Sequence, residues 1–242
     1  MATPLDVSQI EDHGRIVVRL DPNGTVRVER ITAESEIVLN LVRGQGGGAR
    51  AQFEVGDSID VSGFPALLET FCRAANIHID IDFRATKLTS SHVVLEDTGL
   101  ALGMGLFEML RERMMARGVN GAGSSIRTAE DFGIADVSAA VSVEGRKYVK
   151  VVSRRGMDAF RWHHVLGHFA FENVRTEDID DFIDALAGGM KASFFINERT
   201  DRLNSSEFWE GAIRALGLAV SEAFDENPAR KGLPPGVKAT LL

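Results

Sequence analysis

At 242 residues, the chain is long enough for one large domain or two small ones with a substantial core. Its 44% hydrophobic and 26% charged residues are typical of a globular protein. A net charge of −8 argues against a nucleic-acid surface, and no apolar run approaches the roughly 20 residues that span a bilayer. The beginning of the chain lacks a signal-peptide pattern, and the single cysteine, Cys72, excludes an intrachain disulfide. We therefore expect a cytoplasmic protein with no nucleic-acid or membrane partner.

The first half of the chain contains strand-like and helix-like patterns. Residues 15–30 alternate apolar and polar on both sides of Asp21-Pro22-Asn23-Gly24, which predicts a hairpin because Asn-Gly favours tight turns. The Gly-rich stretch 44–49 is interpreted as a loop between strands, since no Gly-Lys-Ser/Thr and no helix follow it as a phosphate cradle would require. The other predicted elements are a strand over 37–42, a helix over 64–76, a strand over 77–82 and a helix over 96–117.

The second half repeats this order. Strand patterns occupy 137–152, 161–171 and 192–197, and helix patterns occupy 176–187 and 206–224. The repetition predicts an α+β fold of duplicated half-domains, each a sheet with two helices on one face. We expect a first repeat over 25–117 and a second over 118–226. Residues 1–24 are interpreted as an N-terminal extension or hairpin, and the Pro- and Gly-containing residues 227–242 as an irregular tail.

Three motifs follow one another along the chain: Arg30-Ile31-Thr32-Ala33-Glu34-Ser35, Ser62-Gly63-Phe64-Pro65-Ala66-Leu67, and the stretch from His92 to Gly103, HVVLEDTGLALG. They resemble the RxTxET, TGIPFL and HHTxED-x-G-x-ALG patterns of imidazoleglycerol-phosphate dehydratases. The resemblance extends from about Thr25 to Ala223. It implies that family's ribosomal protein S5 domain 2-like fold, a homo-oligomer, and a relationship to lyases of histidine biosynthesis that act on a small molecule.

The positions that hold manganese in that family are largely replaced. The family binds the metal with two His-His-x-x-Glu motifs and further histidines. Here Val93 stands for the second histidine of the first motif, and the second motif becomes Leu203-Asn204-Ser205-Ser206-Glu207. Glu69 and Ser193 replace two other histidines. Because metal affinity falls as ligands are removed, we predict no dimanganese centre and no resident cofactor, with a weak single divalent site as the alternative.

Substrate-binding positions differ as well. Gly121 stands where the family has an arginine that meets the substrate phosphate, and the lysine expected near Glu210 is missing. These losses predict an altered substrate that is less phosphorylated or unphosphorylated. The resemblance leaves five substrate-binding candidates: Arg30, Glu69, Glu130, Asp131 and Arg146.

Four residues are candidate acid–base groups: Glu34, His92, Glu96 and Glu207. As an alternative, His92 is a loop histidine that caps a helix beginning at Glu96, and Glu34 and Glu207 are helix-end or surface carboxylates. We expect Glu96 and Glu207 at equivalent helix starts in the two halves. The histidines His163, His164 and His168 are interpreted as part of a half-exposed strand rather than a metal site, because no supporting ligand has suitable spacing.

Two functions therefore stay open. In the first, the chain is a lyase of the dehydratase type; in the second, it is a non-catalytic homologue that serves binding or assembly. We favour the first because the carboxylates and His92 occur together. In the family, metal ions between subunits help trimers associate into a 24-subunit shell. Without those ions we predict a small homo-oligomer, a trimer or a dimer.

Overall fold

The computed structural model describes residues 7–11, 14–44, 46–85, 90–127, 137–152, 169–171, 173–199 and 204–234. The strands are β1 (Val7–Glu11), β2 (Gly14–Leu20), β3 (Val26–Thr32), β4 (Glu36–Arg43), β5 (Gly48–Val55), β6 (Ile77–Ala85), β7 (Ala122–Arg127), β8 (Val137–Val143), β9 (Tyr148–Val152), β10 (Phe169–Phe171), β11 (Val174–Arg175) and β12 (Ala192–Glu198). The α-helices are α1 (Phe64–Ala75), α2 (Ser91–Ala116), α3 (Thr176–Met190) and α4 (Ser205–Ala223), and a 3₁₀ turn follows at Pro228–Arg230. None of the helices in these ranges is both long and apolar enough to cross a membrane.

The backbone repeats the same arrangement twice. The first sheet has the strand order β1-β2-β3-β4-β6-β5, and the second has the order β7-β8-β12-β9. Neighbouring strands run antiparallel except for β5 with β6 and β9 with β12, which are parallel. The residues that lead into β6 and β12, Asn76 and Lys191, both adopt the left-handed conformation. The four strands β3, β4, β6 and β5 thus correspond to β7, β8, β12 and β9.

Four helices lie between the two sheets. Helices α1 and α2 pack on the first sheet, α3 and α4 pack on the second, and the layers meet where α2 contacts α3 and α1 contacts α4. The backbones of α2 and α3 approach closely at glycines: a Cβ on Gly103 would lie 2.3 Å from the carbonyl oxygen of Leu186. One continuous hydrophobic core spans both halves. The predicted duplicated α+β fold is confirmed.

Several predicted elements are confirmed with small changes in length. The predicted hairpin is β2 and β3, in which Leu20 faces Val26 and the Asp21 side chain accepts hydrogen bonds from the backbone of Asn23 and Thr25. The Gly-rich stretch connects β4 to β5 without a helix. Helices α1, α3 and α4 and strands β4, β6 and β12 lie where the sequence patterns predict them.

Other expectations need correction. Helix α2 begins at Ser91, not at Glu96, because the hydroxyl of Ser90 accepts a hydrogen bond from the backbone N–H of His92 and caps the helix there. The region 137–152 forms two strands separated by a turn at Gly145, and β12 lies between them in the sheet. Residues 161–168 lie outside the described ranges. The domain boundaries drawn from the sequence stay a prediction.

Candidate functional site

His92 lies in the first turn of α2 and contacts carboxylates on two helices. Its Nδ1 is 2.7 Å from Oδ2 of Asp181 on α3, and its Nε2 is 3.1 Å from Oε2 of Glu96, one turn further along α2. The imidazole is about half exposed, so it is accessible to solvent. The interpretation of His92 as a loop residue is wrong, since the ring is held between two acidic groups within the helical layer.

These surroundings change the pKa of His92. Burial alone lowers the pKa, because it disfavours the charged ring. The hydrogen bond to Asp181 and the charges of Asp181, Glu96 and Asp178 act in the opposite direction, and together they raise the pKa of His92 above its usual value. The imidazolium form is therefore favoured over a wider pH range than in a free histidine, which suits a proton donor.

Two further carboxyl groups of α3 belong to these surroundings. Asp178 contacts the beginning of α2, and Asp180 precedes Asp181 in the sequence. Asp178 is only 2% exposed and accepts a hydrogen bond from the hydroxyl of Ser91; burial raises the pKa of Asp178. Burial, and then the charges of Asp181 and Asp184, raise the pKa of Asp180 to about 6. Sequence analysis missed both groups: Asp178 lies in the first turn of α3, where the helix dipole explains acidic residues, and no motif singles out Asp180.

The turn between β3 and β4 is attached to the same helix. Arg30 Nη1 lies 2.6 Å from Oδ1 of Asp97, and the hydroxyl of Ser35 donates a hydrogen bond to the other oxygen of Asp97. The Thr32 hydroxyl accepts hydrogen bonds from the backbone of Glu34 and Ser35. The Arg-x-Thr-x-Glu-Ser motif thus fixes a turn against α2 through Ser35 and Arg30, and the neighbouring Glu34 is exposed.

Two other candidates have structural partners elsewhere. Glu69 accepts hydrogen bonds from the backbone of Ala49 and from Arg73, and Arg146 is an exposed turn residue 3.5 Å from Glu144. Among the described residues, no hydrogen bond or ion pair joins either side chain to His92 or its carboxylates. Glu130 and Asp131 lie outside the part of the chain that the structure describes. Their substrate-binding roles stay predictions.

Glu207 belongs to the cap of α4. Its Oε2 accepts a hydrogen bond from the backbone of Asn204 at 3.1 Å, and the Asn204 side chain accepts one from the backbone of Glu207 at 2.9 Å. Glu207 is the third residue of α4, whereas Glu96 is the sixth of α2. The expectation that both occupy equivalent helix starts is therefore wrong, because Asn204 caps α4 while Ser90 caps α2 further upstream of the motif.

The repeat gives a position to one imidazole, His78, that the family pattern leaves one residue out of register. His78 is the second residue after the left-handed Asn76, and Ser193 is the second residue after the left-handed Lys191. His78 therefore occupies the position in the first half that Ser193 occupies in the second. Comparison of the two halves of the chain aligns it with Ser193.

A family model described as imidazoleglycerol-phosphate dehydratase matches residues 60–220, which is more than half of the chain. The chain belongs to the imidazoleglycerol-phosphate dehydratase family. Two relatives of that name, from a Ruegeria species and from Streptococcus mutans, are 26% and 27% identical to it. The first match covers 90% of this chain and 99% of the relative, and the second covers 86% and 94%.

Solved structures of imidazoleglycerol-phosphate dehydratases have the same fold. The enzyme from Pyrococcus furiosus superimposes with a TM-score of 0.62 at 21% identity, covering 88% of this chain and 99% of that one. The Staphylococcus aureus enzyme gives a TM-score of 0.62 at 16% identity, covering 84% and 99%. The sequence-based recognition of the family is confirmed.

The residues present do not fit the family's two-manganese centre. Val93, in place of a histidine, packs against the hydrophobic core and offers no donor atom. Asn204 and Glu207, from the second motif, bond each other in the helix cap. The hydroxyl of the buried Ser193 replaces another imidazole. Manganese sites need several imidazole or carboxylate ligands around each ion, and this set supplies them for at most one.

Proposed function

We propose that this chain is a diverged lyase of the dehydratase type that acts, in the cytoplasm, on a small molecule other than imidazoleglycerol phosphate. It works without a two-manganese centre. The observation that carries the proposal is the contact of His92 with Asp181 and Glu96, which keeps an acid–base group at a former metal-ligand position. Family membership supports the reaction class.

Dehydration requires a base that removes a proton from carbon and an acid that protonates the departing hydroxyl group. Asp181 holds Nδ1 of His92 and stabilises the imidazolium, so Nε2 is the atom that delivers a proton once Glu96 turns away. The base is one of two exposed carboxylates, Glu96 or Glu34. Glu207 is the weakest of the four candidates, since its carboxylate is engaged in the cap of α4.

The proposal of an altered substrate rests on two cationic side chains of the family that this chain lacks at the matching positions. Gly121 has a positive φ of 70°, and its backbone N–H donates to the carbonyl oxygen of Ala223, so this position offers a backbone turn and no side chain where the family has its arginine. Glu210, where the lysine is expected, lies 3.2 Å from Arg214 and adds negative charge. These features favour a ligand with fewer phosphate groups or none.

Binding of imidazoleglycerol phosphate tests the altered substrate. Each lost charged contact costs ~1.5–3 kcal/mol, so the compound should show no micromolar binding in calorimetric titration. The Streptococcus mutans relative serves as the positive control. Micromolar binding to this chain would overturn the proposal.

Metal content tests the missing centre. The protein purified without added metal should hold well under one manganese per chain in elemental analysis, because the two histidine motifs are broken. Two tightly bound manganese ions per chain would restore the parent mechanism.

The second candidate function, a non-catalytic homologue, is favoured by the capping role of Glu207 and the structural role of Glu69. A thermal-shift screen of hydroxylated metabolites, followed by mass spectrometry for loss of one water, separates the two. The lyase is supported if a stabilising ligand loses water with the wild type but not with His92→Gln. Stabilisation without conversion supports the homologue.

A further inference from the structure

We propose that His92, Asp178 and Asp181 form a binding site for a single divalent transition-metal cation between α2 and α3. Each residue offers a ligand atom, and these atoms all lie within 4.8 Å of one another. His92 comes from the first half of the chain and both aspartates from the second. The packing of α2 on α3 therefore creates the site.

The donor set has the chemistry of a transition-metal site. One imidazole nitrogen and two carboxylate oxygens suit Zn²⁺, Co²⁺ or Mn²⁺, with water completing the coordination. At metal–ligand distances of about 2.0–2.2 Å, donor atoms around one ion lie roughly 3–4 Å apart. The three donor atoms of His92, Asp178 and Asp181 already lie within 4.8 Å of one another, so small side-chain rotations bring them to an ion.

The other nitrogen of His92 provides an independent indication. Nε2 lies 3.1 Å from Oε2 of Glu96 in an ion pair, while Nδ1 faces Asp181. Histidines that bind metals characteristically donate their second N–H to a carboxylate, which fixes the ring orientation and increases ligand basicity. Glu96 is therefore a positioning residue for the metal-binding imidazole.

The charges at the site also favour a cation. Asp178 is 2% exposed, and its hydrogen-bond partner is the neutral hydroxyl of Ser91. Arg175, three residues earlier, forms its ion pair with Glu177 and acts on Asp178 only through its charge, without a direct contact. A carboxylate that is removed from water, as Asp178 is, and that lies near a second carboxylate, that of Asp181, is costly unless a cation compensates it, and a divalent ion supplies that charge at short range.

This site shares His92 with the manganese sites that the family resemblance implies, but its other two ligands are different. Asp178 and Asp181 belong to none of the family motifs, and the site needs neither Val93 nor Asn204. A bound cation would replace the proton between His92 and Asp181. The inference concerns binding alone, so it stands independently of the proposed lyase activity.

Titration of the full chain with Zn²⁺ tests the site. Protein freed of metal with EDTA and then desalted should bind one Zn²⁺ per chain in calorimetry, and Co²⁺ should give a saturable visible absorption. Asp181→Asn and Asp178→Asn should each weaken Zn²⁺ binding at least tenfold. Glu96→Gln should weaken it about tenfold through loss of the carboxylate behind the imidazole.

Asp184→Asn is the matched control, because it removes the same charge from the same helix but contacts Lys147 at 2.6 Å instead of His92. It should leave Zn²⁺ affinity unchanged. Unchanged binding in Asp181→Asn, or an equal loss in Asp184→Asn, overturns the proposal. Asp181 is 41% exposed, so its variant should fold; circular dichroism checks this, and Asp181→Asn and Glu96→Gln decide the result if Asp178→Asn does not fold. No substrate enters the measurement, so its outcome is separate from that of the lyase proposal.

Discussion

Single residues acquire their roles here from partners that are far away in the sequence. Asp181 is the clearest case, because it contacts His92 across 89 positions of the chain. No pattern around Asp181 predicts this contact, since it depends on how α2 and α3 pack. The motif predicts Arg30 as a substrate-binding residue, yet in the structure its guanidinium pairs with Asp97, a contact that only the fold reveals.

Asp180 should lower stability at neutral pH. Its folded-state pKa of about 6 lies above that of an unfolded aspartate, about 3.9, so the folded protein binds the proton more tightly. The folded state is therefore favoured below about pH 4 and progressively loses this advantage as the pH rises to 6. Asp180→Asn should raise the free energy of unfolding by about 1–3 kcal/mol at pH 7.5, with a gain that shrinks towards pH 4.

Urea unfolding with EDTA present, at several pH values between 4 and 7.5, checks this expectation. Parallel pH curves for the wild type and the Asp180→Asn variant would contradict it, because the difference between them should change with pH.

At the scale of elements, the sequence predicts regular patterns well and their ends less well. Alternation identified the hairpin of β2 and β3, and the 3.6-residue period identified α1 and α4. The strand β7 escaped prediction because its Ala-Gly-Ser-Ser sequence has little β-propensity and is stabilised by pairing with β8. The position of β12 between β8 and β9 depends on tertiary packing, which a local sequence pattern does not encode.

The close packing of α2 and α3 makes a prediction about Gly103. A Cβ at this position would lie 2.3 Å from the oxygen of Leu186 and 2.8 Å from the nitrogen of Met190, so Gly103→Ala must separate two backbones. We expect a loss of about 1–3 kcal/mol in the free energy of unfolding, despite the helix preference of alanine.

Gly188→Ala on α3 is the matched control. Its Cβ would meet only the flexible Lys147 side chain, at 3.3 Å, so the change should be neutral or slightly stabilising. Equal unfolding midpoints for the two variants in urea would contradict the packing argument.

At the scale of the whole molecule, the two sheets present different outer surfaces. The first sheet carries ion pairs, such as Arg84 with Asp82 at 2.9 Å and with Glu54 at 3.7 Å. The second exposes Tyr148 and Phe195, whose ring centroids are 5.5 Å apart and whose exposed fractions are 47% and 46%. Exposed aromatic pairs are suited to subunit contacts, because they bury apolar area without metal ions.

We therefore expect an oligomer of few subunits that forms without metal ions. In the family pattern, ions bridge trimers into a 24-subunit shell, and a contact of a few coordinate bonds fails once the ligands are replaced. Here Val93 and Asn204 replace two of those ligands, and the proposed cation site lies within one chain. We predict a trimer or a dimer whose mass in light scattering is the same with and without EDTA. A 24-subunit particle that EDTA dissociates would contradict this assembly and the proposed loss of the dimanganese centre together.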